Sequence, residues 1–250
     1  GDVYKRQIIN LIMENLLSIL PVLATDLSLT DFTFWIGFAA MLASTMFFFN
    51  AMNLVADKWK TSMLVSALIT GIAALHYYYM REAAAEGSIT TAYRYVDWIL
   101  TVPLMCVEFY LILKPSGATK GMLWKLILLS TVMLVTGYFG EAGIMGLDAQ
   151  LWGLVSGLAY FAIVHEIFMG NAAKLAKSAG GNVESAHKML CKFVLIGWAI
   201  YPIGYMAGTE GWYSGIFSGL AGQMDVIYNV GDAINKIGFG LVVYNLAVSK

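Results

Sequence analysis

Four side chains that can carry charge or a proton relay lie on one stripe of an apolar segment: Arg94, Asp97, Thr101 and Glu108. Their spacings of three, four and seven residues stack them on one helix face. Asp97 and Glu108 are eleven residues apart, about 16 Å along a helix axis. Two carboxyls that far apart in hydrocarbon suit a proton path with one acid near each end better than a structural pair, because only Arg94 is near enough to neutralise them. A second stripe lies near the C-terminus, where Asp232 precedes Lys236 by one turn. A lysine buried in an apolar helix is ion-paired, neutral or covalently bound, and lysine amines condense with carbonyl cofactors. An Asp232–Lys236 ion pair is the structural alternative, and it is expensive in the middle of a membrane. Trp198, Tyr201 and Tyr205 recur at three and four residues, with Pro202 among them. Together with Trp98 they can wall a slot for a long, flat, apolar ligand.

The elements that must hold these groups are membrane helices. The chain has 250 residues, 59% of them hydrophobic and 12% charged, with a mean hydropathy of +0.71. So little charge excludes an ordinary soluble domain. A net charge of −1 gives no reason to expect nucleic acid as a partner. Apolar runs of about 20 residues predict seven spans, at 32–54, 60–80, 92–113, 123–143, 149–170, 189–209 and 223–248. The fold expected is all-α, a seven-helix bundle forming one domain over residues 25–250. Lys58, Lys60, Lys114, Lys120, Lys125, Lys174, Lys177, Lys188, Lys192 and Lys250 fall on one side of these spans, and Arg81 on the other. The positive-inside rule then places the N-terminus outside and the C-terminus in the cytoplasm. Residues 1–24, with Lys5 and Arg6 ahead of an apolar stretch ending at Val22, Leu23 and Ala24, read as a signal peptide rather than an eighth helix. Cys106 and Cys191 read as small buried hydrophobes, with no disulfide or metal site implied.

The motifs from Arg94 through Asp97, Trp98, Thr101 and Pro103, from Trp198 through Tyr201 to Pro202, and from Asp232 through Asn235 to Lys236 resemble the microbial rhodopsins, and within them the proteorhodopsins. The likeness runs from about residue 30 to the end of the chain. It implies all-trans retinal bound to Lys236 as a protonated Schiff base, in a light-driven ion transporter rather than an enzyme. It makes Asp97 the proton acceptor, Asp232 the second counterion, Arg94 an outward gate, Thr101 the middle of the acceptor–Thr–donor set and Glu108 the cytoplasmic donor. The resemblance implies that Trp98, Met105, Met133, Gly137, Trp198, Tyr201, Pro202, Tyr205 and Asn235 line the retinal. With Lys236 and Arg94 set against Asp97 and Asp232, the site would be neutral.

It further implies that His76 bonds the acceptor Asp97. In the family this histidine lies near a neighbouring protomer's tryptophan, which matches Trp35, so a pentamer or hexamer is expected. Met105 resembles the green-absorbing type, where a Gln would suggest blue. Gly153 matches a glycine that, in antenna-bearing relatives, opens a window for a carotenoid. The function expected is outward proton pumping across a bacterial inner membrane, with the lipid bilayer and protons as partners and no soluble partner evident. A photosensor signalling through a membrane transducer is the alternative, and a carboxyl donor at Glu108 separates the two. Neither the sodium-pump pattern nor a replaced acceptor Asp is present.

Overall fold

The computed structural model describes residues 28–249, so the segment read as a signal peptide lies outside the described residues. Among the described residues nine α-helices follow in order: α1 Leu29–Ala51, α2 Asp57–Ala85, α3 Thr91–Leu113, α4 Lys120–Glu141, α5 Ala149–Phe168, α6 Asn171–Ala179, α7 Gly181–Leu195, α8 Ile200–Gly208 and α9 Met224–Val248. They make seven spans long and apolar enough to cross a membrane, because α5 continues into α6 and α7 into α8. No strand occurs among the described residues.

Local chemistry sets several helix ends. Ser28 and Asp31 cap α1 reciprocally: the Ser28 hydroxyl accepts from the Asp31 amide, and the Asp31 carboxylate accepts from the Ser28 amide. The Thr119 hydroxyl accepts from the Met122 amide at the start of α4. Glu166, near the end of α5, accepts from the Asn171 and Ala172 amides at the start of α6. Its other oxygen accepts from Lys125 Nζ of α4 at 2.6 Å.

The sixth span is not one continuous α-helix. A tight turn at Gly197–Ala199 separates α7 from α8. Pro202 explains the break, since it has no amide hydrogen and its ring crowds the Trp198 carbonyl one turn back. The Asn235 side-chain amide of α9 donates to the Gly197 carbonyl at 2.9 Å within this interruption.

Consecutive spans pack side by side, and α9 closes the ring against α7, α1 and α2. Large apolar side chains such as Phe32, Ile36, Met46, Leu128, Leu154 and Phe161 point outward, as the hydrocarbon of a bilayer requires. The interior holds the polar groups. Arg94, Asp97, Thr101, Glu108, Asp232 and Lys236 are all buried between helices. Cys106 and Cys191 are buried and free.

Candidate functional site

Lys236, midway along α9, is the centre of the site. Its Nζ donates to Asp97 Oδ2 of α3 at 2.5 Å and to Asp232 Oδ2, one turn earlier on its own helix, at 2.7 Å. All three side chains are removed from solvent. Charge-assisted bonds of this length are strong in a dry interior, so each carboxylate satisfies the ammonium and is satisfied by it.

The two acids are held differently. Asp232 also accepts from the Tyr201 hydroxyl of α8 at 2.6 Å and from the Tyr77 hydroxyl of α2 at 3.3 Å. Asp97 keeps one oxygen, Oδ1, buried and without a partner. A carboxylate with a free lone pair beside a proton-bearing nitrogen can take that proton, whereas one held by two further hydroxyls is better fixed as an anion. Thr101 lies one turn along α3 and donates to the Asp97 backbone carbonyl at 2.9 Å, so it braces the helix rather than the carboxyl itself.

Arg94, expected as an outward gate, is bonded away from the two acids. Its guanidinium turns to Asp225 Oδ1 at 2.6 Å and Asn229 Oδ1 at 3.1 Å, both on α9, and makes no ion pair with Asp97 or Asp232. The charge set expected to be neutral therefore has another member. Lys236 is the cation bonded to Asp97 and Asp232, which leaves one negative charge over, while Arg94 has its own anion. A partly exposed carboxylate is the cheaper partner, because less of its hydration is given up.

His76 also differs from expectation. Its Nδ1 donates to the Ile72 carbonyl of its own helix at 2.9 Å, and no hydrogen bond joins it to Asp97. The local carbonyl four residues back is within easy reach of a helical histidine, while Asp97 is drawn to the ammonium. Trp35 lies under the Arg81 guanidinium at 4.6 Å.

Glu108 is fully buried in the other half of α3. The Ser66 hydroxyl of α2 donates to its Oε1 at 3.3 Å, and Oε2 has no partner. Three turns of helix separate it from Asp97, so the two acids stand on one helix with Lys236 against the first.

Beside the charges runs a cavity of about 550 Å³, within the size range of small-ligand sites. Of the residues expected to line a ligand, Trp98, Met133, Trp198, Tyr201, Pro202 and Tyr205 do so. Met105, Gly137 and Asn235 do not line it. Met105 lies in the hydrophobic core, Gly137 lies against Tyr95 and Ser156, and Asn235 is bound to the break in the sixth span. Tyr201 joins the two halves of the site, with its ring on the cavity and its hydroxyl on Asp232. Trp98 packs on Tyr201 at 4.7 Å and on Tyr228 at 5.3 Å, edge to face. Gly153 is also a lining residue; a Cβ there would come within 2.7 Å of the Tyr205 ring. A long apolar ligand fits the aromatic cavity, and Lys236 is the amine with which a carbonyl end could condense.

Sequence reasoning missed Asp225, Asn229, Tyr77 and Tyr95. A signal for two of them was present, because 225, 229, 232 and 236 are spaced four, three and four residues apart, on one face of α9. Tyr77 and Tyr95 carry no such signal, since buried tyrosines at helical spacing look like ordinary core.

Residues 28–250 match the family described as bacteriorhodopsin-like protein. The chain is 44% identical over 230 residues to a green-light absorbing proteorhodopsin from Gamma-proteobacterium EBAC31A08, covering 90% of each chain. It is 42% identical over 231 residues to a blue-light absorbing proteorhodopsin from Gamma-proteobacterium Hot 75m4, again covering 90% of each. Among solved structures, xanthorhodopsin, described as a light-driven ion pump with dual chromophore, superposes with a TM-score of 0.75 at 31% identity, over 88% of this chain and 92% of that one. Rhodopsins of this kind carry a retinal chromophore, and the seven spans make this a multi-pass membrane protein. A seven-span bundle matched along nearly its whole length is explained by common descent: the chain belongs to the bacteriorhodopsin-like family, with proteorhodopsins among its relatives.

Proposed function

We propose that the protein is a light-driven pump that moves protons outward across a bacterial inner membrane, with all-trans retinal attached to Lys236. The observation that supports this most is the contact of Lys236 Nζ with Asp97 Oδ2 at 2.5 Å, with a second buried carboxyl, Glu108, on the same helix beyond it. Retinal, when bound, supplies the absorption of light and the change of shape that follows. Asp97 takes the proton from Nζ through a hydrogen bond that already exists, so no diffusion is needed. Asp232 is held by the Tyr77 and Tyr201 hydroxyls, which leaves Asp97 as the acceptor. Glu108 returns a proton to Nζ and is refilled from the cytoplasm. The acceptor and donor on opposite sides of the lysine make the transfer one-way, and the lysine-rich loops beyond Glu108 support an outward direction.

The finer assignments have separate supports. Apolar Met105 favours green absorption. The lysines at the ends of α3, α4, α6 and α7 favour a cytoplasmic C-terminus. The half-exposed aromatic face of Trp35, Tyr78 and Tyr79 favours a homo-oligomer, a pentamer or hexamer. Gly153, on a cavity that reaches exposed Leu154 and Leu158, favours access for a carotenoid antenna.

Expression in a bacterium supplied with retinal, followed by illumination and recording of external pH, tests the pump. Acidification abolished by a protonophore is the expected result. Colour without a pH change would make the protein a photosensor. No colour would remove retinal from the account.

A further inference from the structure

Among the described residues, Arg94 is a buried cation near the site that is not bonded to its carboxylates, and its surroundings account for this. Asp225 Oδ1 receives both Arg94 Nη2 at 2.6 Å and the Thr90 hydroxyl at 3.0 Å. Asn229 Oδ1 takes a second bond from the same nitrogen, and its Nδ2 donates to Thr33 of α1 at 3.0 Å, which fixes the amide's orientation. Phe34 and Tyr228 stand over the guanidinium at 5.4 and 5.1 Å. Arg94 is 4% exposed and Asp225 39%, so the pair spans from the interior to the surface. The other polar groups near the arginine are Tyr77 of α2, bonded to Asp232, and Glu141 of α4, which accepts from the Tyr95 hydroxyl at 2.9 Å.

We propose that Asp225 is a positioning residue for the light reaction: it holds Arg94 away from Asp97 and Asp232, so that Lys236 is the only cation those two acids share. An arginine has a long, flexible stem and five donors, and two carboxylates that share a single ammonium would draw it inward. Asp225 outcompetes them because it offers a full charge whose desolvation is incomplete, and because Thr90 and Asn229 hold the outward geometry. The result is a strong negative field on the Lys236 nitrogen. That field anchors the chromophore's positive charge at the nitrogen in the dark. Light shifts that charge along the polyene, so a weaker field lowers the excitation energy.

This rests on retinal attachment at Lys236, and the experiment separates the two. The full chain, Asp225→Asn and Asp225→Glu are each loaded with all-trans retinal in membranes, and their dark absorption bands are compared. In Asp225→Asn, Arg94 turns to Asp97 and Asp232 and cancels part of their charge, so the band moves to the red. Asp225→Glu keeps the carboxylate and returns the band towards its original place. If Asp225→Asn does not fold, Thr90→Val is measured instead. It removes one of the bonds that orient Asp225 and moves the band the same way by less. A band unmoved in whichever of these two variants is read would overturn the positioning role while leaving retinal attachment intact. Absence of a band in the unaltered chain would instead remove the attachment.

Discussion

At the scale of single residues, the site divides its work by how many partners each carboxyl has. Asp97 has the lysine and a free oxygen, Asp232 has the lysine and two hydroxyls, and Glu108 has one serine. Asp97→Asn should form pigment and lose light-driven pH changes, because the acceptor is gone while Asp232 still balances the lysine. Glu108→Gln should leave the first proton transfer at its normal rate and slow the last phase of the cycle by about 100-fold, the usual weight of one acid–base group. Flash spectroscopy reads both phases, and a normal late phase would remove Glu108 from the donor role. Lys236→Ala should give no pigment. It also strands two buried carboxylates, so its folded state should lose about 3–5 kcal/mol, part of which Asp232→Asn should restore in a denaturation assay. These residues were legible because ionisable groups are rare in apolar helices, and each one there needs a reason. What the sequence left hidden was pairing. A helical spacing says which groups share a face, but not that Arg94 would choose Asp225 over Asp97, nor that His76 would turn to its own backbone.

At the scale of elements, all seven spans were legible from apolar run length, and their breaks were not. The fifth span was expected to end near residue 170, where glycine, asparagine and lysine read as a loop. The structure places α6 there, with Ala172 and Ala176 buried one turn apart. Ala172, Leu175 and Ala176 carry a short helical pattern that polar neighbours mask. Glu166 is the hinge-pin of this corner, bonded at once to Lys125 and to two amides of α6. Glu166→Ala should lower stability by about 1–2 kcal/mol through loss of a helix cap and an ion pair that is open on the lysine side. Thermal unfolding would show it. The absorption band should not move, because this corner does not line the cavity. The sixth span's break was written in Pro202, but only the structure shows that Asn235 ties it to the lysine helix. A residue expected to touch the ligand thus acts on the backbone that carries Trp198.

At the scale of the whole molecule, the distribution of charge across the bilayer is the strongest constraint. Exposed Lys58, Lys60, Lys114, Lys120, Lys174, Lys177, Lys188 and Lys192 gather at one end of the bundle. A membrane-impermeant amine reagent should label them in inverted vesicles and spare them in intact cells, and labelling of intact cells would reverse the proposed orientation.

The cavity that begins at buried Trp98 and Trp198 also reaches Leu154, Leu158 and Phe161, which face outward from α5. A ligand dissolved in the bilayer can therefore reach the interior of an already inserted bundle without passing through water. Retinal added to membranes that already hold the finished chain is therefore expected to develop colour, as an absorption spectrum would show.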